Sequence, residues 1–195
     1  MIQYNQDKEI KMPQINAIVC VGPNGLIGTD KNVMPWHSVK DFFHFVYFTK
    51  YKPCIFGANT FFNMPKYPLP HRLNVVLSSK FAQITHNEYV CAPNFEAAIE
   101  YLKSYPEIMI CGGNKLYTHC FNHNYIDNFI LTTIDSPKLQ QISENKNNIF
   151  FPEYILSNLE KHWKKTEITY DKNPKFPTNA DAEFTIRFWK YQNCR

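Results

Sequence analysis

The sequence predicts an α/β fold with a mainly parallel central sheet that ends in an antiparallel strand pair. Three observations predict it. Residues 15–21, 53–57, 73–77 and 107–111 are short apolar runs, several of them rich in β-branched residues, and read as strands buried on both faces. Helical patterns fall between them, as crossovers between parallel strands require. Residues 163–170 and 183–191 read as two last strands, joined by a long connection that carries Pro174, Pro177 and Asn179. No repeat and no low-complexity linker divides the chain. Its 195 residues suffice for one domain with a sizeable core.

In chain order, residues 1–13 carry Asp7, Lys8, Glu9 and Lys11 without an apolar stretch. They read as a polar extension rather than a signal peptide, and the domain is expected to run over 14–195. The strand at 15–21 passes into a loop over 22–32 with Gly22, Gly25 and Gly28. That spacing is not the dinucleotide fingerprint, so the loop reads as a plain surface loop or as a mobile lid. Next come Met34-Pro35-Trp36 and an unusually aromatic helix. Helical spacing puts Asp41, Phe45 and Phe48 on one face, with Phe42, Val46 and Thr49 beside it. A lone carboxylate among rings loses hydration, which raises its pKa. Two parallel N–H donors, as an aminopyrimidine or pteridine offers, hold such a carboxylate as an anion. The same residue also completes a capping box with Ser38, and an acid early in a helix suits the macrodipole.

After the second strand, 58–64 reads as a brief helix. Its start is either an anion site or an ordinary turn capped by Asn59 or Thr60. Arg72, at the entry to the strand 73–77, is a surface charge or a bidentate carboxylate clamp. A short fourth strand covers 88–92, and Asn94 caps a helix through Lys103 with Phe95, Ala98, Ile99 and Leu102 inward. The strand at 107–111 runs into Gly112-Gly113 and a helix. Paired glycines at the carboxyl end of a parallel strand admit a ligand or another backbone. His119 and His123 stand at i, i+4 but have no acidic companion, so they read as the end of that helix rather than as metal ligands, and no metal is expected. Residues 128–134 read as a strand, 136–149 as an exposed polar loop or hairpin, and 150–154 as a return to the core.

Composition narrows the function. Hydrophobic residues make up 44% of the chain, which excludes a disordered chain, and sixteen Phe and twelve Tyr predict an aromatic core. The net charge is +4 with scattered lysines; Lys161, Lys164 and Lys165 form a solvated face rather than a nucleic-acid patch. Six cysteines without a CxxC pair read as free thiols in a reducing compartment, and no apolar run is long enough to span a membrane. A cytoplasmic monomer with no nucleic-acid or membrane partner is expected.

Several of these pieces occur in a fixed order: Ile27-Gly28, Met34-Pro35-Trp36, Asp41, Gly57-Ala58-Asn59-Thr60-Phe61, Pro68-Leu69-Pro70-His71-Arg72, Leu77-Ser78-Ser79, Cys111-Gly112-Gly113-Asn114-Lys115-Leu116-Tyr117, Leu131-Thr132 and Phe151-Pro152. The series resembles dihydrofolate reductase from Ile15 to the C-terminus. The resemblance implies that family's three-layer single-domain fold. It implies NADPH-dependent reduction of 7,8-dihydrofolate to 5,6,7,8-tetrahydrofolate, with hydride to C6 and a proton to N5, supplying one-carbon metabolism and thymidylate synthesis. By the match, Asp41 binds the pterin's 2-amino group and N3 and helps protonate N5. Thr132 backs that carboxylate, and Trp36 holds the lid and an ordered water. Phe45 packs on the substrate rings, and Arg72 clamps the α-carboxylate of the glutamate tail. Met64 and Leu69 line the substrate site, with the carbonyls of Val19 and Cys111. For NADPH the match gives backbone contacts at Cys20 and Ile27, and phosphate contacts at Thr60 and the Gly112-Gly113-Asn114-Lys115 turn, whose glycines share a cis bond in the family. Gly57, Ala58, Asn59, Leu77, Ser78, Ser79, Lys80, Cys111, Leu116 and Tyr117 complete the cofactor side.

Two departures fall on that side. Ala58 stands where family members often have a basic residue, and Asn114 where a third glycine is common. Ser79, Lys80 and Lys115 are then left for the 2′-phosphate. Two other readings share the pattern: the pyrimidine reductase of riboflavin synthesis, which needs neither the Trp36/Asp41 pairing nor Arg72, and a non-catalytic folate- or nucleotide-binding module.

Overall fold

The computed structural model describes residues 12–80, 88–170 and 181–194. Its elements are β1 (Gln14–Val21), β2 (Leu26–Gly28), α1 (Val39–Thr49), β3 (Pro53–Gly57), α2 (Ala58–Phe62), β4 (Leu73–Leu77), β5 (Val90–Ala92), α3 (Phe95–Leu102), β6 (Glu107–Ile110), α4 (Asn114–Asn122), β7 (Asn128–Asp135), α5 (Pro137–Ser143), β8 (Ile149–Phe150), α6 (Glu153–His162), β9 (Lys164–Glu167) and β10 (Thr185–Gln192). Eight strands form one sheet in the order β5-β4-β3-β6-β1-β7-β10-β9. Pairing is parallel from β5 to β7 and antiparallel at β7-β10 and β10-β9. The chain thus enters mid-sheet at β1, steps out through β3, β4 and β5, and returns to flank β1 with β6 and β7. Reversals of this kind leave a crevice at the carboxyl ends of the strands.

Alternation along β1 assigns the two faces. Ala17, Val19 and Val21 face a cluster with Phe95, Ala98 and Leu102 of α3, Leu116, Tyr117 and Cys120 of α4, and Ile155 and Leu159 of α6. Ile18 faces the other way, into a cluster with Phe56, Phe61, Met109 and Ile130 that Phe45 and Phe48 of α1 cover. Helices on both faces of a parallel sheet make the expected three layers.

The helix starts follow local chemistry. Ser38 accepts the Asp41 amide at 3.0 Å and Asn94 accepts the Ala97 amide at 2.9 Å, as N-caps do. Several expectations are corrected. The cap of α2 is Gly57, with no side-chain bond, rather than Asn59 or Thr60. The loop after β1 contains β2, which pairs antiparallel with β8. Residues 137–143 form α5 rather than an exposed loop or hairpin: Ser136 accepts the Leu139 amide at 3.2 Å, Pro137 suits the first turn, and Leu139 is buried while polar residues face out. Residues 153–162 form α6, whose Ile155 and Leu159 recur at i, i+4. The strands expected over 163–170 and 88–92 are shorter, at Lys164–Glu167 and Val90–Ala92. Most of the polar extension and the connection before Asp181 lie outside the described residues.

Candidate active site

The site gathers where β1, β6 and β7 meet the first turn of α1. Cys20 and Thr132 are register partners on adjacent parallel strands, so their side chains rise from the same face. Asp41, in the first turn of α1, brings its carboxyl onto both. Burial is the largest influence on that carboxyl and raises its pKa. Hydrogen bonds from Thr132 and the Cys20 thiol oppose the rise, the Asp181 charge adds to it, and the Trp36 indole lowers it slightly. The net direction is up. The Asp41 amide is the one Ser38 caps, so capping and presentation of the carboxyl hold together.

Trp36 is 5% exposed and packs with Leu26, Ile134 and Leu139. Its ring lies 3.3 Å from where a Gly22 side chain would begin, which closes the entry of the loop against the helix. The buried indole Nε1 has no protein acceptor at full hydrogen-bonding distance. A donor left over beside a carboxyl suits a water or ligand oxygen. His44, one turn below Asp41, is 1% exposed and stacks on Phe188 at 4.2 Å between centroids. It shares a hydrogen bond with the Tyr170 hydroxyl, and burial lowers its pKa to about 4, so it is neutral. Phe42, expected at the edge of the inner face, is 58% exposed.

Arg72 sits at the far end of α1. Its Nε donates to Thr49 Oγ1 at 2.9 Å and one Nη to the Pro70 carbonyl at 2.7 Å. Its guanidinium lies 5.7 Å from the centre of the Phe45 ring. Held this way, the fork keeps Nη donors for a carboxylate. Asn74, the second residue of β4, fixes the turn that carries Arg72: its amide donates to the Leu69 and Arg72 carbonyls (2.9 and 3.2 Å) and accepts the Leu69 amide (3.2 Å). Sequence reasoning passed over Asn74, although a lone amide in an apolar strand is a signal. Met64, Leu69 and Phe45 gather on the same cluster beneath the crevice. Val19 and Cys111 are buried. The Val19 side chain points to the opposite face, so it offers the site only its main chain.

The side that the resemblance gives to the cofactor is made of backbone. The Gly57 amide donates to the Gly112 carbonyl at 2.7 Å, and Gly112-Gly113 is a cis peptide. The α2 and α4 helices therefore start side by side, and neither has a side-chain cap. Uncapped amides at a helix start attract anions. Thr60 lies across the glycine pair: a Cβ on Gly113 would come within 2.5 Å of Thr60 Oγ1. Leu77 is the register partner of Gly57, which brings Leu77, Ser78, Ser79 and Lys80 to the same end of the sheet. Asn59, Ser79, Lys80 and Lys115 are exposed, and Ala58 and Ile27 are half-buried. Three expected cofactor contacts turn inward. Leu116 is buried, the Tyr117 hydroxyl donates to the Ile18 carbonyl at 2.5 Å, and Asn114 Nδ2 donates to the Phe150 carbonyl at 2.9 Å. The His119 ring meets Glu96 at 3.1 Å and His123 bonds the His119 carbonyl at 2.9 Å, at the end of α4.

Residues 14–187 match the family model described as dihydrofolate reductase. The chain belongs to the dihydrofolate reductase family. It is 32% identical over 161 residues to a dihydrofolate reductase of Haemophilus influenzae, covering 82% of this chain and 88% of that one. It is 33% identical over 159 residues to a type 3 dihydrofolate reductase of Salmonella typhimurium, covering 82% and 91%. Among solved structures it is similar to dihydrofolate reductase from Enterococcus faecalis complexed with NADP(H) and RAB-propyl. The TM-score is 0.69 at 20% identity, covering 93% of this chain and 97% of that one. The activity is that of the family, NADPH-dependent reduction of 7,8-dihydrofolate to tetrahydrofolate. No helix among the described residues is long and apolar enough to cross a membrane.

Proposed function

We propose that Asp41 is the acid of this reduction and that Thr132, Cys20 and Trp36 form its setting. The observation that carries the reading is a carboxyl set in the first turn of α1 against Cys20 and Thr132, whose pKa is raised chiefly by burial while the Thr132 hydroxyl and the Cys20 thiol hydrogen-bond it. Such a group binds the amidine-like edge of a pterin through paired hydrogen bonds and favours a proton in the ring system beside it. Phe45, Met64 and Leu69 offer an apolar wall for the substrate rings, and Arg72 meets the carboxylate of the glutamate tail.

The residues present fit NADPH. The uncapped starts of α2 and α4 lie side by side, and glycines at 57, 112 and 113 would let a pyrophosphate approach the amides. Thr60 would add its hydroxyl, and Ser79, Lys80 and Lys115 would take the 2′-phosphate. NADPH supplies the hydride when bound; the chain orients both molecules and manages the proton at N5. The reading extends to a cytoplasmic monomer, which its six unpaired cysteines suit.

The test follows NADPH absorbance in purified protein mixed with dihydrofolate, beside Asp41→Asn. Turnover in the wild type, largely lost in the variant at neutral pH, is the expected result. Near-wild-type turnover in the variant overturns the role of Asp41. Ligand binding without turnover in the wild type points to a non-catalytic module.

A further inference from the structure

Asp181 lies 140 residues after Asp41 in the chain, just ahead of β10, yet it sits on the N-terminus of α1. Its carboxylate accepts from the Ser38 hydroxyl at 2.8 Å, the Val39 amide at 3.0 Å and the Lys40 amide at 2.8 Å. The Ser38 oxygen in turn accepts the Asp41 amide at 3.0 Å. Two hydrogen bonds therefore join Asp181 to the backbone of the residue that carries the site's carboxyl. Asp181 itself holds a left-handed φ of 62°, and its carbonyl accepts the Phe184 amide at 3.0 Å. The turn into β10 thus fixes where the carboxylate points. The helix already has a serine cap, so Asp181 adds a full negative charge to an end whose cap bond is made.

We propose that Asp181 is a positioning residue for Asp41: through Ser38 and the first amides of α1 it places the helix turn that presents Asp41, and its charge extends the working pH range of the enzyme upward. The proposal rests on the reading of Asp41 as the acid. The groups facing Asp41 are few. Cys20 of β1 and Tyr117 of α4 are neutral, since burial raises both far above their ordinary values, and Thr132 of β7 and Trp36 carry no charge. On α1, His44 is neutral, and Lys40 directs its charge to Asp181. Burial alone would raise the Asp181 pKa, but the Lys40 amide, the Ser38 hydroxyl, the Val39 amide and the Lys40 charge together lower it, so Asp181 is ionised at neutral pH. A fixed anion near Asp41 disfavours a second anion there and keeps the proton on Asp41 to higher pH.

The sign is fixed. Removing the charge lowers the proton affinity of Asp41. It also leaves the positive end of the helix dipole less compensated, which acts in the same direction. The experiment measures kcat against pH for wild type, Asp181→Asn, Asp181→Ala and Asp41→Asn, with Tm for each. Asp181→Asn keeps an acceptor oxygen for the helix end and isolates the charge. Asp181→Asn should stay close to wild type at the acid end and fall several-fold below it at the alkaline end, because the high-pH limb moves to lower pH; Asp181→Ala, which also removes the acceptors that place the turn, should show the same shift with a lower kcat at every pH. If Asp181→Ala does not fold, Asp181→Asn carries the test. A lowered Tm with an unmoved pH profile leaves capping alone and overturns the proposal. An active Asp41→Asn instead removes the premise, a failure seen without reference to the Asp181 variants.

Discussion

The two sides of the proposed active site are built from different material. On the substrate side the chemistry belongs to side chains: the carboxyl of Asp41, the hydroxyl of Thr132, the thiol of Cys20, the fork of Arg72. On the cofactor side it belongs to the main chain. Two helix starts without side-chain caps meet across Gly57, Gly112 and Gly113, and the nearest side chains, Thr60 and Asn114, pack against the turn or away from it. A side-chain site is lost when one functional group is lost. A main-chain site is lost when a side chain is added where there is no room. On this reading the departure at Asn114 falls on the tolerant side of that contrast, because its position offers an amide that any residue other than proline has, whereas Ala58 gives up a side-chain charge and leaves the 2′-phosphate to Ser79, Lys80 and Lys115.

The largest effect should come from the substrate side. Asp41→Asn should lower kcat about a hundredfold or more at neutral pH, the range of a lost general acid, with NADPH binding unchanged. Its stability should move the other way. A carboxyl whose folded pKa is raised stabilises the fold fully below its unfolded pKa, and that contribution is lost as pH rises through the folded pKa. Relative to wild type, the Asn variant should therefore gain Tm at neutral and alkaline pH and lose that gain in acid. Thermal melts across pH read this directly, and an equal Tm at every pH would contradict burial as the main cause of the shift.

On the cofactor side the counterpart is Gly113→Ala. The added methyl would stand 2.5 Å from Thr60 Oγ1, so the turn or Thr60 must move. Overpacking of this kind costs about 1–3 kcal/mol, and it should appear as weaker NADPH binding and a lower Tm with little change in dihydrofolate affinity. Adding Thr60→Ala removes the atom in the way. Because Thr60→Ala also removes the hydroxyl proposed for the pyrophosphate, Tm is the readout: a double variant no more stable than Gly113→Ala alone means that the clash is not the cause. Arg72→Leu should act on the opposite partner, raising the KM for dihydrofolate about tenfold or more, since a charge-assisted hydrogen bond contributes about 1.5–3 kcal/mol. A pterin substrate without the glutamate tail should show almost none of that loss.

What could be read from the sequence divides along the same line. Locally, Asp41 reads equally as part of a capping box and Arg72 as a surface charge, and only the ordered series of motifs singles them out; the paired glycines at 112 and 113 stand out by themselves, and so do the buried strands as continuous apolar runs. Helix α5 was hidden by its outer face of Lys138, Gln140 and Gln141 and by the Asn- and Lys-rich stretch that follows it, while only Leu139 and the partly buried Ile142 carry the helical spacing. Helix α6 had the same spacing at Ile155 and Leu159 but was overlooked between two expected strands. Asp181 had no local signal at all. Its function depends on three donors 141 to 143 residues away in the chain, and only the folded sheet brings them together.

The smallest effect is expected one residue beyond Gly113. Asn114→Gly removes the Nδ2 bond to the Phe150 carbonyl, about 1 kcal/mol, and places a poor helix former at the start of α4. It also removes a buried Oδ1 that has no partner, and relief of an unsatisfied acceptor is of similar size and opposite sign. The two should nearly cancel in Tm. Because the backbone amide survives, the KM for NADPH should change by no more than a few-fold, against the larger loss from a single methyl at Gly113. A tenfold rise in that KM would mean that the Asn114 side chain, through its tie to β8 and so to β2, helps shape the cofactor side, and the contrast between a side-chain half and a main-chain half would have to be redrawn.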